Sequence, residues 1–373
     1  MINVTKALSI LATAASLSIL TACDDGRSVA TTGSGAGNNT TASTGSSTSA
    51  STSDITGGTT SSGGVEAAKL DFLATFDATK GELPEGLIVS PDGKTAYVGF
   101  APTGQIIAIS LADNKRSDFG SIPAPPMGVG LVLGLAFDKA GDLYVGTGSF
   151  DPSKYQGSIY KIAKTGGAGA LFSKNAGQFA NGLIFDASGN LFSSDTASGS
   201  IYKTSPDGTS TVWVKDALLQ GDLMDACSAK LPIAYGINGI SLSGSNLYAV
   251  NTDKGTLVKI PVKADGSAGT PVKVLGPDAA CSPLKGPDGI TTDDKDGSLL
   301  VMANLGASLV RVDKDGKATT LVANGPKFDS PASVVVATVN GKRMALITNL
   351  AFFSVQTPGA TPRPGLLAYG PLP

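Results

Sequence analysis

Six positions share one local environment in this chain and hold its candidate chemistry: Glu85, Leu133, Asn181, Asn238, Asp288 and Ala332. Each stands one residue before the start of a recurring β-like phrase, and that residue is glycine in the first five copies and Ser333 in the last. Taken singly, an Asn-Gly or Asp-Gly pair is ordinary turn chemistry. As a set, two carboxylates and two amides at equivalent places of a repeat should meet at one point. Oxygen donors of that kind suit a hard divalent cation, which takes roughly six to eight oxygen ligands. The sequence has no histidine and only three cysteines, so zinc or copper is not expected. The same absence excludes a Ser-His-Asp triad.

The elements that must position these residues are legible in residues 180–214, ANGLIFDASGNLFSSDTASGSIYKTSPDGTSTVWV. Short β-branched or alternating runs (GLIFD, LFSS, SIYKT, TSTVWV) are separated by turn formers such as Ala-Ser-Gly-Asn and Ser-Pro-Asp-Gly. Four antiparallel strands in so short a stretch make one propeller blade. The phrase recurs as GLIVSPDGKTAYVG from Gly86, GLAFDKAGDLYVG from Gly134, GISLSGSNLYAVN from Gly239 and GITTDDKDGSLLVMAN from Gly289, and in degraded form from Ser333. The anchors at 86, 134, 182, 239, 289 and 333 are 48, 48, 57, 50 and 44 residues apart. The expected fold is therefore all-β, a six-bladed β-propeller over residues 65–373. Residues 69–76 (KLDFLATF) belong to no repeat, while the last repeat lacks a fourth strand. The N-terminal strand is expected to complete blade six and close the ring, which removes two exposed sheet edges.

Ahead of this domain, residues 1–23 carry Lys6, an apolar run and the sequence Leu-Thr-Ala-Cys, which resembles a bacterial lipoprotein signal with Cys23 as the lipidated residue. Residues 24–64 are rich in Ser, Thr and Gly and read as a disordered tether. These features place the protein at the cell envelope, facing the periplasm or otherwise extracytoplasmic, with its membrane contact made through lipid on Cys23. With a net charge of −2 and 16% charged residues, there is no basic footprint for nucleic acid. A monomer is expected. If Cys23 carries lipid, Cys227 and Cys281 remain for a disulfide between loops of neighbouring blades; the alternative is two buried thiols.

The motifs Pro84-Glu85-Gly86, Asn181-Gly182-Leu183, Asn238-Gly239-Ile240 and Pro287-Asp288-Gly289-Ile290 resemble the senescence marker protein/gluconolactonase family, which includes luciferin-regenerating-enzyme-like proteins. The resemblance implies a six-bladed propeller with one divalent cation, commonly calcium, held by Glu85, Asn181, Asn238 and Asp288. It implies Asp288 as general base and hydrolysis of a lactone or ester of small-molecule size. The degraded sixth copy, the hydrophobic MGVGLVLG segment and the Cys227 loop depart from the family pattern, and no substrate-orienting Arg or Lys can be matched. The alternatives are a non-catalytic interaction module and a strictosidine-synthase-like enzyme. A deep cup with converging oxygens favours the hydrolase, and a flat apolar top favours the platform. Gly128-x-Gly130-x-x-x-Gly134 misses dinucleotide spacing and reads as a loop leading into a strand. Ser282-x-x-Lys285 is expected to be a chance match, and Trp213 is expected to pack between blades.

Overall fold

The computed structural model describes residues 67–228, 230–231 and 233–373. The lipidation site Cys23, the leader and the tether lie outside the described residues. Six antiparallel sheets follow one another along the chain, and their innermost strands are Pro84–Val89, Gly130–Phe137, Ala180–Phe185, Ile237–Ser243, Pro287–Thr292 and Pro331–Val339. Each of these strands packs against the next, and the last packs against the first. The result is a closed ring of six blades.

Closure is made by the N-terminal strand. Lys69–Thr75 pairs antiparallel with Gly365–Gly370, matching Lys69 to Gly370 and Thr75 to Gly365, so the first strand becomes the outermost strand of blade six. Lys327 of the adjoining loop donates to the Leu70 carbonyl and to Asp71. The expectation drawn from KLDFLATF holds. The ring therefore has no open seam.

Between blades the core is built from the alternating apolar residues of the middle strands. Val250, Leu257, Val301 and Val310 form one such layer and Ile106, Val132, Leu143 and Val145 another, all fully buried. Trp213 stacks on Phe192 with centroids 4.9 Å apart, and its indole N–H donates to the Gly266 carbonyl of the next blade at 2.9 Å. Burial with a satisfied N–H is what an interblade tryptophan requires.

Two details differ from the sequence reading. Gly130 and Gly134 lie within the inner strand of blade two rather than in a loop ahead of it, because Val132, Leu133 and Leu135 bury their side chains there. Blade one also gains a fifth strand: Gly167–Ala168 pairs in parallel with the outer strand Arg116–Ser121. A Cβ on Gly120 would lie 2.4 Å from the Gly167 carbonyl, so this edge is covered only because Gly120 lacks a side chain.

The inner strands share one irregularity. In every blade the ladder to the second strand skips at the same place: Pro84/Leu87, Val132/Leu135, Ala180/Leu183, Ile237/Ile240, Pro287/Ile290 and Pro331/Val334. Each skip is a β-bulge that holds the candidate residue and the glycine or serine after it, and bulges re-aim side chains. The glycines are required by close approach. A Cβ on Gly86 would meet the Leu133 carbonyl at 2.2 Å, one on Gly134 the Asn181 carbonyl at 2.0 Å, and one on Gly239 the Asp288 carbonyl at 2.5 Å. Neighbouring inner strands thus touch backbone to backbone, which sets the narrow bore at the axis.

Candidate functional site

Glu85, Asn181, Asn238 and Asp288 meet at the axis, where they separate two cavities. On one side is an axial cavity of about 260 Å³, continuing between the inner strands past Leu135, Leu183 and Ile240. On the other is a cup of about 100 Å³ under the loops. All four residues line both spaces. Leu133 and Ala332, at the same repeat position, are buried without contributing oxygen. The four sequence-predicted site residues are brought together as expected.

Asn181, Asn238 and Asp288 each meet the residue just past the end of the blade's second strand. Asn181 donates through Nδ2 to Thr196 Oγ1 at 3.2 Å, and Asn238 donates in the same way to Thr252 Oγ1 at 3.2 Å. Thr252 passes its own proton to the Pro287 carbonyl at 2.8 Å. Asn304 donates through Nδ2 to Asp288 Oδ2 at 2.9 Å. One amide hydrogen of Asn181 and one of Asn238 are thereby used within the blade, and Asn238 also bonds to Asp288, leaving both carbonyl oxygens for a ligand. In blade one the corresponding residue is Ala101, which has no side-chain polar group. Glu85 Oε2 is accordingly buried with no hydrogen-bond partner, and so is Asn304 Oδ1.

The electrostatics follow from this arrangement. Burial, and then the neighbouring charge of Asp288, push the Glu85 carboxyl well above the usual range. Burial raises Asp288 to about 6, while hydrogen bonds from Asn304 and Asn238 work in the opposite direction. Asp288 sits deep in the protein yet keeps part of its surface open to the cavities. No lysine or arginine lines either space. Two buried carboxylates with no counter-charge are costly unless something neutralises them. Among the described residues no three His, Cys, Asp or Glu side chains gather in one metal cluster. The donors available here are instead two carboxylates plus amide oxygens, a hard-oxygen set. The unpartnered Glu85 and Asn304 oxygens fit such an ion.

Long loops build the cup above the ring. Asp253, buried and raised by burial, accepts from Asp222 N–H at 3.0 Å, Tyr235 N–H at 2.8 Å and Ser228 Oγ–H at 2.9 Å. This carboxylate ties Asp222, Ser228 and Tyr235 together beside the axis, where Leu231 and Tyr235 line the cup. The Cys227–Cys281 disulfide, with Cα atoms 5.4 Å apart, ties the same loop to the approach to blade five. The expected pairing is present. Opposite, Asn349 accepts from Asp329 N–H at 2.7 Å and donates to the Lys327 and Arg363 carbonyls, anchoring the loop that carries Phe352 and Phe353.

The cup wall is mainly apolar: Leu131, Leu133, Phe150, Phe179, Leu350 and Phe352. Phe150 and Phe179 meet edge to face at 5.2 Å. The Tyr235 hydroxyl has no partner among the described residues; burial, and then Asp288, raise its pKa. Thr196, Thr252, Asn304 and Tyr235 escaped the sequence reading. The first three lie 14 to 16 residues after their partners, at the end of the repeated phrase, where an alignment of the copies on second-strand ends would have shown them.

No family model matches this chain, and no curated protein matches it. Solved structures do match, over the propeller. A luciferin-regenerating enzyme is 13% identical with a TM-score of 0.56, covering 81% of this chain and 95% of its own. Regucalcin from Agrobacterium tumefaciens, described as a calcium-binding protein, is 17% identical with a TM-score of 0.54, covering 79% and 92%. An auxiliary nutrient binding protein from Bacteroides thetaiotaomicron is 11% identical with a TM-score of 0.60, covering 82% and 76%. At such identities the likeness is one of fold: the chain shares the six-bladed propeller with these proteins.

Proposed function

We propose that this protein is a cation-dependent hydrolase of a lactone or ester, with calcium as the ion. The observation that carries the reading is the pair of buried, uncompensated carboxylates, Glu85 and Asp288, at the axis beside the amides of Asn181 and Asn238. Those four residues would hold the ion, which when bound supplies polarisation of the substrate carbonyl and stabilisation of its developing negative charge. Regucalcin's description as calcium-binding is consistent with that choice of ion.

The chain's own groups divide the remaining work. Asp288 takes the proton of the attacking water; burial makes it more basic than an ordinary carboxylate, and Asn304 fixes its Oδ2. Thr196 and Thr252 hold the two amides so that their oxygens face the axis. The apolar wall excludes bulk water from the reacting group. No step requires histidine, and the chain has none.

A platform for partner proteins calls for a flat exposed face, whereas the oxygens here converge beneath a walled cup. With Cys23 lipidated, the enzyme would act at the cell envelope as a monomer on a small molecule, without nucleic acid. The test is calorimetry with calcium, together with hydrolysis of a panel of lactones and aryl esters. Wild-type protein should bind one ion and turn over at least one class. If Glu85→Gln and Asp288→Asn bind calcium as wild type does, the polar ring is turn chemistry and the reading fails.

A further inference from the structure

We infer that the substrate is an uncharged lactone or ester bearing an alkyl chain, not a sugar lactone, and that the chain lies in a groove running from the cup to the disulfide. This rests on the hydrolase reading for the reacting group, although the groove's occupant can be tested without turnover. Size gives the first argument. A cup of about 100 Å³ is well below the roughly 300–1,000 Å³ of ordinary ligand pockets, so it admits a reacting ring or acyl group and little more. The remainder of any larger substrate must leave through an adjoining space.

One such space shares its walls with the cup. A groove of about 430 Å³ is lined by Leu231, Leu305 and Phe353, which also line the cup, and continues over Ala226 and the Cys227–Cys281 disulfide. Its lining is apolar apart from Ser228 and Lys285. Phe353, 41% exposed, borders both spaces on a loop pinned by Asn349 and Asp329.

Chemistry gives the second argument. A sugar lactone carries a hydroxyl on nearly every carbon, and each must find a partner when it leaves water. Beyond the axial oxygens, the cup offers Tyr235, Thr252 and Asn304; Thr252 is already engaged, and Asn304 already donates to Asp288 with only its Oδ1 free. Leu131, Leu133, Phe150, Phe179, Leu350 and Phe352 would leave the other hydroxyls unpaired. An alkyl chain gains from the same surface.

The experiment uses the full chain and a lactone isostere that cannot be hydrolysed. Binding of 2-heptylcyclopentanone and 2-methylcyclopentanone is measured by calorimetry with calcium present, and glucono-δ-lactone and δ-dodecalactone are compared as substrates. The heptyl compound should bind at least about 10-fold more tightly than the methyl compound. Leu231→Ser and Phe353→Ser should each weaken the heptyl compound by a larger factor than the methyl compound while leaving calcium affinity unchanged. δ-Dodecalactone should be hydrolysed in preference to the sugar lactone. Equal binding of the two ketones, or preference for glucono-δ-lactone, would overturn the inference. Chain-length-dependent binding without hydrolysis of any lactone would sink the hydrolase reading and leave the apolar occupant standing.

Discussion

Blades one and five place a carboxylate at the same position of the same bulge, yet the two groups are held differently. Asp288 of blade five is met by Asn304, which donates to it and restrains its rise in pKa. Glu85 of blade one has Ala101 at the equivalent repeat position and one oxygen with no partner at all. The repeat supplies the position, and the residue just past the second strand supplies the environment. A carboxylate with an amide partner can be oriented as a base at moderate pKa. One without a partner stays charged only beside a counter-ion. The difference assigns Asp288 to proton transfer and Glu85 to charge compensation.

Four variants and one titration can break that division, beginning with the largest effect. Asp288→Asn keeps size and an oxygen but loses the base, so kcat should fall about 100- to 10,000-fold even at saturating calcium; recovery of kcat at high calcium would make it merely a ligand. Glu85→Gln should weaken calcium by about 100-fold in calorimetry, with kcat largely restored once the ion is in excess. Should kcat stay low at saturation, the two carboxylates are not divided in role. Asn304→Ala removes the donor from Asp288 and should lower kcat/KM about 10-fold. Since that hydrogen bond lowers the pKa of Asp288, its loss should move the acid limb of the pH–rate profile upward. An unmoved limb argues against Asn304 as the positioning residue.

The pH dependence of stability sharpens the comparison without any substrate. A carboxyl whose folded pKa is raised favours folding in its protonated form. For Asp288 that contribution is complete below the ordinary value of 3.8 and is lost as pH climbs through about 6. Calcium-free protein should therefore lose about 1–2 kcal/mol across this window, and Asp288→Asn should flatten the loss. Urea midpoints at successive pH values, with chelator, measure it; a rise in stability over the same window has the wrong sign for this site. Smallest of all, Leu133→Val should leave calcium affinity within about 2-fold, because a neutral side chain without oxygen gives way to another.

How much of this was legible follows from where the information lies. The bulge glycines mark five of the six blades in sequence, with Ser333 in the sixth, because backbone contact between inner strands permits no Cβ at Gly86, Gly134 or Gly239. A packing requirement thus leaves a periodic trace beside each site residue. Glu85, Asn181, Asn238 and Asp288 could be found through that trace. The closing strand was legible for a related reason: an unpaired β-segment at one end and a missing strand at the other have one economical solution. Cys227 and Cys281 were legible as the pair left over in the globular part.

The partners were decided elsewhere. Thr196, Thr252, Asn304 and Ala101 acquire meaning only when the second strand folds back with a fixed bulge and sets them opposite the axial residues. Leu131 lies in the inner strand of blade two, Phe150 just past that blade's second strand, Phe179 ahead of blade three and Phe352 in a loop of blade six, so the apolar cup has no single signature along the chain. Asp253 anchors the loop that roofs the site through donors from Asp222, Ser228 and Tyr235, which meet it only in the folded ring. Sequence alone determined the repeat, its count and the place of the four oxygen-bearing axial residues, because local sterics set a small residue beside that place once per blade. Tertiary structure decided which carboxylate has a partner and what surrounds it, because cross-strand register and converging loops exist only after the ring has closed.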